Sequence, residues 1–467
     1  MTPLSAASSE PSEVGQSART VALASFIGTA IEWYDFFLYG IASAVVFSQL
    51  FFPNYDPTVG TLISFATFAV GYLARPFGGA LFGHIGDRVG RKSVLVATLL
   101  IMGVATTLVG LLPTYEKIGI WAPIGLLILR LAQGIAVGGE WGGAVLMAVE
   151  HAPAGKRGLY GSAAHMGAPA GLLLSTGTFA AFALLPHSAF MDWGWRIPFL
   201  LSVLLLGMGL FIRLKITESP AFEKMKTRGG PASQPVIEVL KRPGNIIRVA
   251  LLRCIDGVGS STYSFFGATY AVAHLGFSTS TSVLGNVIGG AVGLISVPIA
   301  ARLSDRFGRR CVYMAYVSFA IVIVFPAIWL INTGIPTMFW LAMALGLGIA
   351  NYGQYGSVSA YFAELFDTNV RYSGASIGYQ FGGAIFNGTA PLIATGLMAW
   401  AGSLWPIGVF IALAGLVSLI TASLTPETYR QDLDTEPHAK EKFVPHVVRP
   451  LGLADSAALD SAGRQHG

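Results

Sequence analysis

Twelve apolar runs, each about as long as a membrane-crossing helix, leave this chain few options. They fall at about 20–50, 58–83, 93–113, 121–149, 159–188, 196–216, 246–275, 281–302, 311–331, 337–363, 372–400 and 403–424. A helix rises about 1.5 Å per residue, so about 20 apolar residues cross the ~30 Å hydrocarbon core of a bilayer. A water-soluble globule has no way to hide twelve such units. Composition agrees: 53% of the 467 residues are hydrophobic and 11% are charged, against about 25% charged in ordinary soluble proteins. The expected fold class is an all-α membrane protein with twelve transmembrane helices.

The charges that remain are sorted by side. With a cytoplasmic N-terminus, one set of loops carries Arg88, Arg91, Lys92, Lys156, Arg157, Lys215, Lys224, Lys226, Arg228, Lys241, Arg242, Arg302, Arg306, Arg309, Arg310 and Arg371. The opposite loops carry Lys117 and Arg196. Basic loops stay cytoplasmic, which places both termini there. The net charge of +5 is thus a topology signal and not a nucleic-acid footprint. The first apolar run is far longer than the ~7–15 residues of a signal-peptide core and should be retained. Cys254 and Cys311 lie in or beside apolar runs and read as small apolar fillers, not a disulfide framework.

The chain also repeats itself. "GHIGDRVGRK" (83–92) returns as "ARLSDRFGRR" (301–310), "EHAPAGKRG" (150–158) as "ELFDTNVRY" (364–372), and "TESP" (217–220) is echoed by "PETY" (426–429). Glu and Arg stand seven apart in both copies of the second motif. The expected organisation is a disordered tail (1–19), a six-helix bundle (20–216), a polar cytoplasmic linker (217–245), a second six-helix bundle (246–424) and a disordered tail (425–467). Parallel repeats of this kind build transporters, with the binding site between the halves near the midplane.

These motifs resemble a known family. "GHIGDRVGRK" is similar to the loop between helices 2 and 3 of the major facilitator superfamily, and "RLAQGIAVGGEWGG" (130–143) to its helix-4 arginine motif. Together with "EWYDFFLYG", "ARPFGGALFGHIGDRVGRK" and "WGWRIPF", they resemble the metabolite:proton symporter family, nearest its bacterial shikimate-type branch. The resemblance spans about 20–425. It implies a bacterial inner-membrane carrier, working as a monomer, of shikimate-like acids, dicarboxylates, citrate or betaines.

The midplane chemistry starts with "IEWYDFFLYG" (31–40), which sets Glu32 and Asp35 on one face of an otherwise apolar helix. Asp35 lies roughly 20 Å into that helix. An acid at the helix centre costs about 2.5–3.5 kcal/mol on insertion scales, so it should face a cavity or a cation. The candidate cations are Arg75 and Arg130, neither of which has an acid beside it in sequence. The resemblance carries the proton-coupling pair of related sugar:proton symporters onto Asp35 and Arg130. A neighbouring Arg keeps an acid ionised, and desolvation without that partner favours the proton. Protonation of Asp35, with Glu32 sharing or tuning the site, would release Arg130 to a substrate carboxylate, whose fork matches a guanidinium. The alternative is a permanent structural ion pair with Arg75 or Arg130.

Further polar candidates sit at plausible depths, Glu140 about 15 Å nearer the cytoplasm than Arg130. Gln133 is one turn from Arg130 and can orient it or the substrate. Glu140 is an inner proton relay or a packing acid, Trp141 a cavity wall or a packed aromatic, and His165 a proton sensor or a hydrogen-bonded packing histidine. In the second half Arg253 and Asp256 read as mutually neutralising. "GVGSSTYSFFG" after them should weaken its helix, as in broken transporter helices. Tyr263, Asn286, Asn351, Tyr352, Gln354, Tyr355, Tyr379, Gln380 and Asn387 are candidate neutral hydrogen-bonding groups for substrate.

At the cytoplasmic face Asp87, Arg91, Glu150, Arg157 and Glu218 form one expected charge network. Asp305, Arg309, Glu364, Arg371 and Glu427 form its mirror. The resemblance gives them the role of latching helix ends in the outward-facing state. Small-residue spacings such as Gly79/Gly83, Gly134/Gly138 and Gly167/Gly171 suit close helix approach.

The function expected is a secondary transporter that imports a small carboxylated metabolite with protons by alternating access. The alternatives are a proton-coupled exporter of the same fold and a transporter-like nutrient sensor. "GAPAG" (167–171) is only a partial match to the antiporter signature, and the chain carries no evident signalling module. No phosphate loop, metal-ligand cluster or nucleophile–base motif is evident, so no enzyme activity, cofactor or metal is expected.

Overall fold

In hydrocarbon every backbone amide must be satisfied within its own segment, so an apolar run becomes a helix. The computed structural model describes residues 13–55, 57–219, 222–223, 226 and 234–429, and no strand occurs among them. The principal helices are α1 (Glu13–Ala42), α2 (Pro57–Val89), α3 (Arg91–Leu111), α4 (Trp121–Glu150), α5 (Arg157–Ala183), α6 (Ser202–Lys215), α7 (Cys254–Ser261), α8 (Thr279–Phe307), α9 (Arg309–Asn332), α10 (Tyr352–Glu364), α11 (Arg371–Gly382) and α12 (Trp405–Leu424).

Among the described residues, nine helices are long and apolar enough to cross a membrane. Three helical stretches outside that set, α2, 244–273 and 336–364, carry buried polar groups in their middles: Arg75, then Arg253 with Asp256, then Asn351 with Gln354. The expected weakening after Asp256 takes the form of a π-helical turn, Thr262–Gly267. Similar turns occur at Ala344–Asn351 and Gly383–Asn387, so the second half widens its helices at three polar positions. Single π-turns of this kind gather at functional sites.

Three boundaries differ from expectation. The segment expected as tail up to residue 19 is already helical from Glu13. The polar linker contains a short helix, Pro235–Lys241, started by Pro at its first position. The segment expected as tail from 425 opens with Thr425, Glu427 and Thr428 docked on the bundle: Thr428 Oγ1 donates to Glu364 Oε2 at 2.6 Å. Polarity suggested a tail there because sequence does not show which polar residues meet a partner. Residues 1–12 and 430–467 lie outside the described residues.

The two copies of the loop motif build one device twice. Gly90 (φ 127°) and Gly308 (φ 103°) break the chain between consecutive helices in a backbone region that side chains rarely enter. Glu218 then accepts from the backbone N–H of Arg91 (3.0 Å) and Lys92 (3.1 Å), and Glu427 from those of Arg309 (2.9 Å) and Arg310 (3.0 Å). Each glutamate caps a helix N-terminus, where orphan N–H groups and the helix dipole both favour a negative charge. A Cβ on Gly308 would lie 3.0 Å from the Glu427 carboxyl carbon, so the glycine is needed for space as well as for φ.

The molecule is inside-out relative to a soluble protein. Large apolar side chains cover the outside, with Phe77 75%, Leu184 88% and Trp400 80% exposed, while Glu32, Asp35, Arg75, Arg130, Glu140, Arg213, Arg253 and Asp256 are all buried. Such a surface suits lipid and would associate in water. Helices approach closely where small residues allow it. A Cβ on Gly171 of α5 would sit 2.5 Å from Trp33 Cβ on α1, and one on Gly138 of α4 2.7 Å from the Gly79 nitrogen on α2.

Candidate functional site

Asp35 is fully buried in the C-terminal half of α1. Its Oδ1 accepts from Ser202 Oγ at 2.7 Å, and its Oδ2 has no hydrogen-bond partner. The direct Asp35–Arg130 ion pair expected from sequence is not formed in this state. Instead Arg130 lies over the ring of Tyr39, 4.3 Å from its centroid, and donates to Gln133 Oε1 at 3.2 Å. Gln133 Nε2 in turn donates to Thr106 Oγ1 at 2.8 Å, and Thr106 faces Asp35. Arg130 is thus tied through Gln133 to Thr106 on α3, whose hydroxyl donates to the Met102 carbonyl at 3.0 Å, so this neutral chain ends beside Asp35 and not on it.

Arg75 is placed differently. Its guanidinium lies 4.2 Å from the Tyr72 centroid and 4.7 Å from that of Phe36, with Trp33 at 5.9 Å. It makes no hydrogen bond or ion pair among the described residues, and it is only 4% exposed. Aromatic faces stabilise a cation, but they leave its N–H groups without acceptors. Glu32 is buried close by, with Oε2 unpartnered.

Glu140 belongs elsewhere. It forms a buried ion pair with Arg213 of α6, which also donates to Glu140 Oε2 at 3.0 Å, and it accepts from Thr98 Oγ1 at 2.8 Å. With its oxygens taken, Glu140 fits the packing acid of the two readings and not the substrate contact. Arg213 escaped notice in the sequence because, near the end of an apolar run and two residues before Lys215, it looks like a topology flank. Gly28 of α1 is the clue: a Cβ there would run into the Arg213 guanidinium.

Where the halves meet, six side chains close a ring. Trp141 of α4 stacks on Tyr379 of α11, with centroids 3.5 Å apart and planes at 4°. The Arg253 guanidinium lies 3.3 Å from the other partner of that stack, the Tyr379 centroid. Arg253 Nη1 is 3.5 Å from Asp256 Oδ2, and Asp256 Oδ1 accepts from the Tyr355 hydroxyl. Tyr355 packs on His165 of α5 at 4.5 Å, and Trp141 Nε1 donates to His165 Nε2 at 3.2 Å. An indole N–H can only donate, so Nε2 is the acceptor, and Nδ1 carries the proton it gives to Ser359 Oγ at 2.7 Å. His165 is thereby held neutral in this arrangement. The four rings are repeat mates: Trp141 and Tyr355, and His165 and Tyr379, stand at the same offset as Glu150 and Glu364. Each half contributes one ring to each stack.

The remaining candidates sort by what they touch. Gln380 Nε2 reaches across to the carbonyls of Val137 and Gly138, both at 3.2 Å. Asn286 donates to the Ser264 carbonyl at 2.9 Å, while Tyr263 packs against Gly346 and Tyr352 against Gly293. Gln354 is 1% exposed, and neither its nitrogen nor its oxygen has a hydrogen-bond partner. Asn351 Oδ1 and Asn387 Oδ1 are also unpartnered. Burying such groups unsatisfied costs about 1–3 kcal/mol each, which marks this region as built for a polar guest or water.

At the end bearing the loop motifs the halves are locked together. Asp87 accepts from the N–H groups of Tyr372 (3.2 Å) and Ser373 (2.9 Å), and Asp305 from those of Gly158 and Leu159, both at 2.8 Å. Each motif aspartate thus caps the N-terminus of a helix in the opposite half, α11 or α5. Glu150 pairs with Arg91 (3.5 Å) and with Arg371 (3.1 Å), and Glu364 with Arg309 (3.3 Å). Arg157 starts α5, and its charge reaches both Glu364 and Arg371. The two networks expected to be separate mirrors are interleaved. Sequence offsets pair a motif with its copy but do not say which half each side chain crosses to.

Comparison with known proteins agrees with this architecture. The Major Facilitator Superfamily model matches residues 25–387. The chain is 39% identical over 421 residues to the shikimate transporter of Escherichia coli (strain K12), covering 88% of this chain and 95% of that protein. It is 40% identical over 429 residues to the inner membrane metabolite transport protein YhjE of the same strain, with the same coverage. The solved proton:xylose symporter XylE, bound to 6-bromo-6-deoxy-D-glucose, superposes with a TM-score of 0.73 at 17% identity, covering 90% of this chain and 98% of that one. That likeness concerns the fold. By family match, by its relatives and by the architecture of its helices, the chain belongs to the major facilitator superfamily of membrane transporters.

Proposed function

We propose that this transporter imports a small organic anion bearing a carboxylate, together with protons, by alternating access in a bacterial inner membrane. The observation that carries the anion is Arg75: a buried guanidinium in an aromatic cage that forms no ion pair or hydrogen bond among the described residues, Glu32 nearby included. A cation so placed is stabilised by a carboxylate brought in by substrate, with which it can form paired hydrogen bonds. Gln354, unpartnered at both ends of its amide, supplies a neutral contact from the other half.

Proton coupling rests on Asp35. Its Oδ2 has no partner and its Oδ1 has one, while the relay from Arg130 through Gln133 to Thr106 ends beside it. A proton on Asp35 would remove its charge from the field of Arg130 and loosen that relay. In this proposal twelve spans form two six-helix halves with both termini cytoplasmic, and the protein works as a monomer. The locked end is then the cytoplasmic one, because it carries the basic loops.

The test is proton-coupled current in proteoliposomes challenged with shikimate, succinate, citrate, an aromatic acid and a betaine. An acid-evoked current that Arg75→Gln reduces at least about tenfold, the value of a lost charged hydrogen bond, and that Asp35→Asn uncouples from protons, is the expected result. Betaine-only currents, or normal coupling in Asp35→Asn, would overturn it.

A further inference from the structure

Arg253 and Asp256 look, on sequence spacing, like a pair that cancels itself. Their geometry is poor for that purpose. The closest approach of guanidinium and carboxylate is 3.5 Å, beyond a good charged hydrogen bond. Arg253 Nε and Nη1 and Asp256 Oδ2 are all buried without hydrogen-bond partners. What holds the guanidinium is instead the face of Tyr379, at 3.3 Å, and that tyrosine is itself stacked on Trp141 from the other half. Asp256 is likewise held away from Arg253 by the Tyr355 hydroxyl on its Oδ1.

The surroundings extend the point. Gly383, in the π-turn after α11, leaves the guanidinium edge open: a Cβ there would lie 3.4 Å from both Nε and Nη2. The unpartnered amide oxygens of Asn351 and Asn387 and the wholly unpartnered amide of Gln354 stand on the helices around it. Arg75 is near enough for its charge to act on Arg253, and both act on Tyr72. Two buried cations, one per half, thus share a region in which Asp256 faces Arg253 without a good hydrogen bond and Glu32 lies near Arg75 without an ion pair.

We propose that Arg253 is a second anchor for the substrate carboxylate and that Asp256 is a place-holding counter-ion which substrate displaces onto Tyr355. This rests on the organic-anion reading above and adds the residue by which the second half takes hold of substrate. The aspartate keeps the arginine from standing buried and unpaired in the empty carrier, where an uncompensated charge is costly. A substrate carboxylate that takes the place of Asp256 bridges Nη1 and Nη2 and so forms the paired hydrogen bonds that Asp256 does not. Because Arg253 sits on the Tyr379–Trp141 stack, its engagement is felt at the contact between the halves.

The experiment uses the full chain in lipid nanodiscs, titrated calorimetrically with shikimate and with succinate. Removing the internal competitor in Asp256→Asn should tighten binding of the accepted acid by about tenfold, whereas Arg253→Gln and the double variant should bind it on the order of thirtyfold more weakly, the range of one or two charged hydrogen bonds. The double variant leaves no buried charge unpaired, so it keeps the comparison intact if Arg253→Gln alone does not fold. A merely structural pair gives the opposite pattern: the double variant binds like wild type, or Asp256→Asn weakens binding as much as Arg253→Gln, and either result overturns the proposal. If wild type binds neither acid while Arg75→Gln is equally silent, the organic-anion reading falls and this anchor with it.

Discussion

At the scale of single residues, the partners of each side chain sorted the candidates where burial did not, since Glu32, Asp35, Glu140, Arg75 and Arg130 are all buried. Glu32, Asp35 and Glu140 are all acids in apolar helices, but only Glu140 has its oxygens committed, to Arg213 and Thr98. Arg130 and Arg75 are both buried arginines, yet one is tied into a relay through Gln133 and the other rests in an aromatic cage. His165 shows what a single donor can decide. Trp141 can only donate, and that fixes the imidazole tautomer. Trp141→Phe should leave His165 Nε2 buried without a partner and break the ring at the same time. The expected loss is about 1–3 kcal/mol, read as a lower melting temperature in detergent. Unchanged melting would mean that the Trp141–His165 bond contributes nothing. The substitution to Phe keeps an aromatic face against Tyr379, so the effect reports the hydrogen bond and not the stack.

At the scale of elements, the loop motif acts as a hinge that caps in two directions. Its glycine turns the chain, its aspartate caps a helix of the opposite half, and a distant glutamate caps the helix that follows. The motif was legible as a repeat, and the Glu–Arg spacing pointed to a network. The crossing of Asp87 to α11 and Asp305 to α5 was not legible, because backbone N–H groups leave no mark in a sequence. Glu150 is the hub, serving Arg91, Arg371 and Ser219. Glu150→Gln should therefore leave two buried arginines short of a counter-charge, a penalty of about 3–5 kcal/mol borne only by the locked state. In a chain freed of Cys254 and Cys311, a Ser376→Cys probe at the buried contact of α11 with Gly142 should then be labelled by a thiol reagent severalfold faster. Equal labelling would show that Glu150 does not hold that end closed.

At the scale of the whole molecule, the described helices are locked at the basic-loop end and carry a buried, partly unsatisfied polar layer between the halves. A carrier of this form moves substrate by exchanging one locked end for the other, since packed interfaces are bistable and not continuously deformable. On the proposed import reading, with the locked end cytoplasmic, Asp35 would collect its proton from outside. Substrate uptake should then rise as the exterior is acidified at constant internal pH, and Asp35→Asn should flatten that dependence. Faster uptake on external alkalinisation would point to exchange against protons instead.

How much could be known without coordinates follows from the range of each force. Hydrophobic run length, loop charge bias and repeated motifs are local along the chain, so the helical class was readable in the string of residues, and Asp35, Arg75 and Arg130 could be singled out there as candidates. Partnership is not local. Asp35 meets Ser202, Glu140 meets Arg213, and Tyr379 lies between Trp141 and Arg253, across separations that no spacing rule encodes. Helices with apolar surfaces can pack in many rotations at similar cost. The rotation adopted is the one that satisfies the few buried polar groups, and that choice is made only when all the helices are present together.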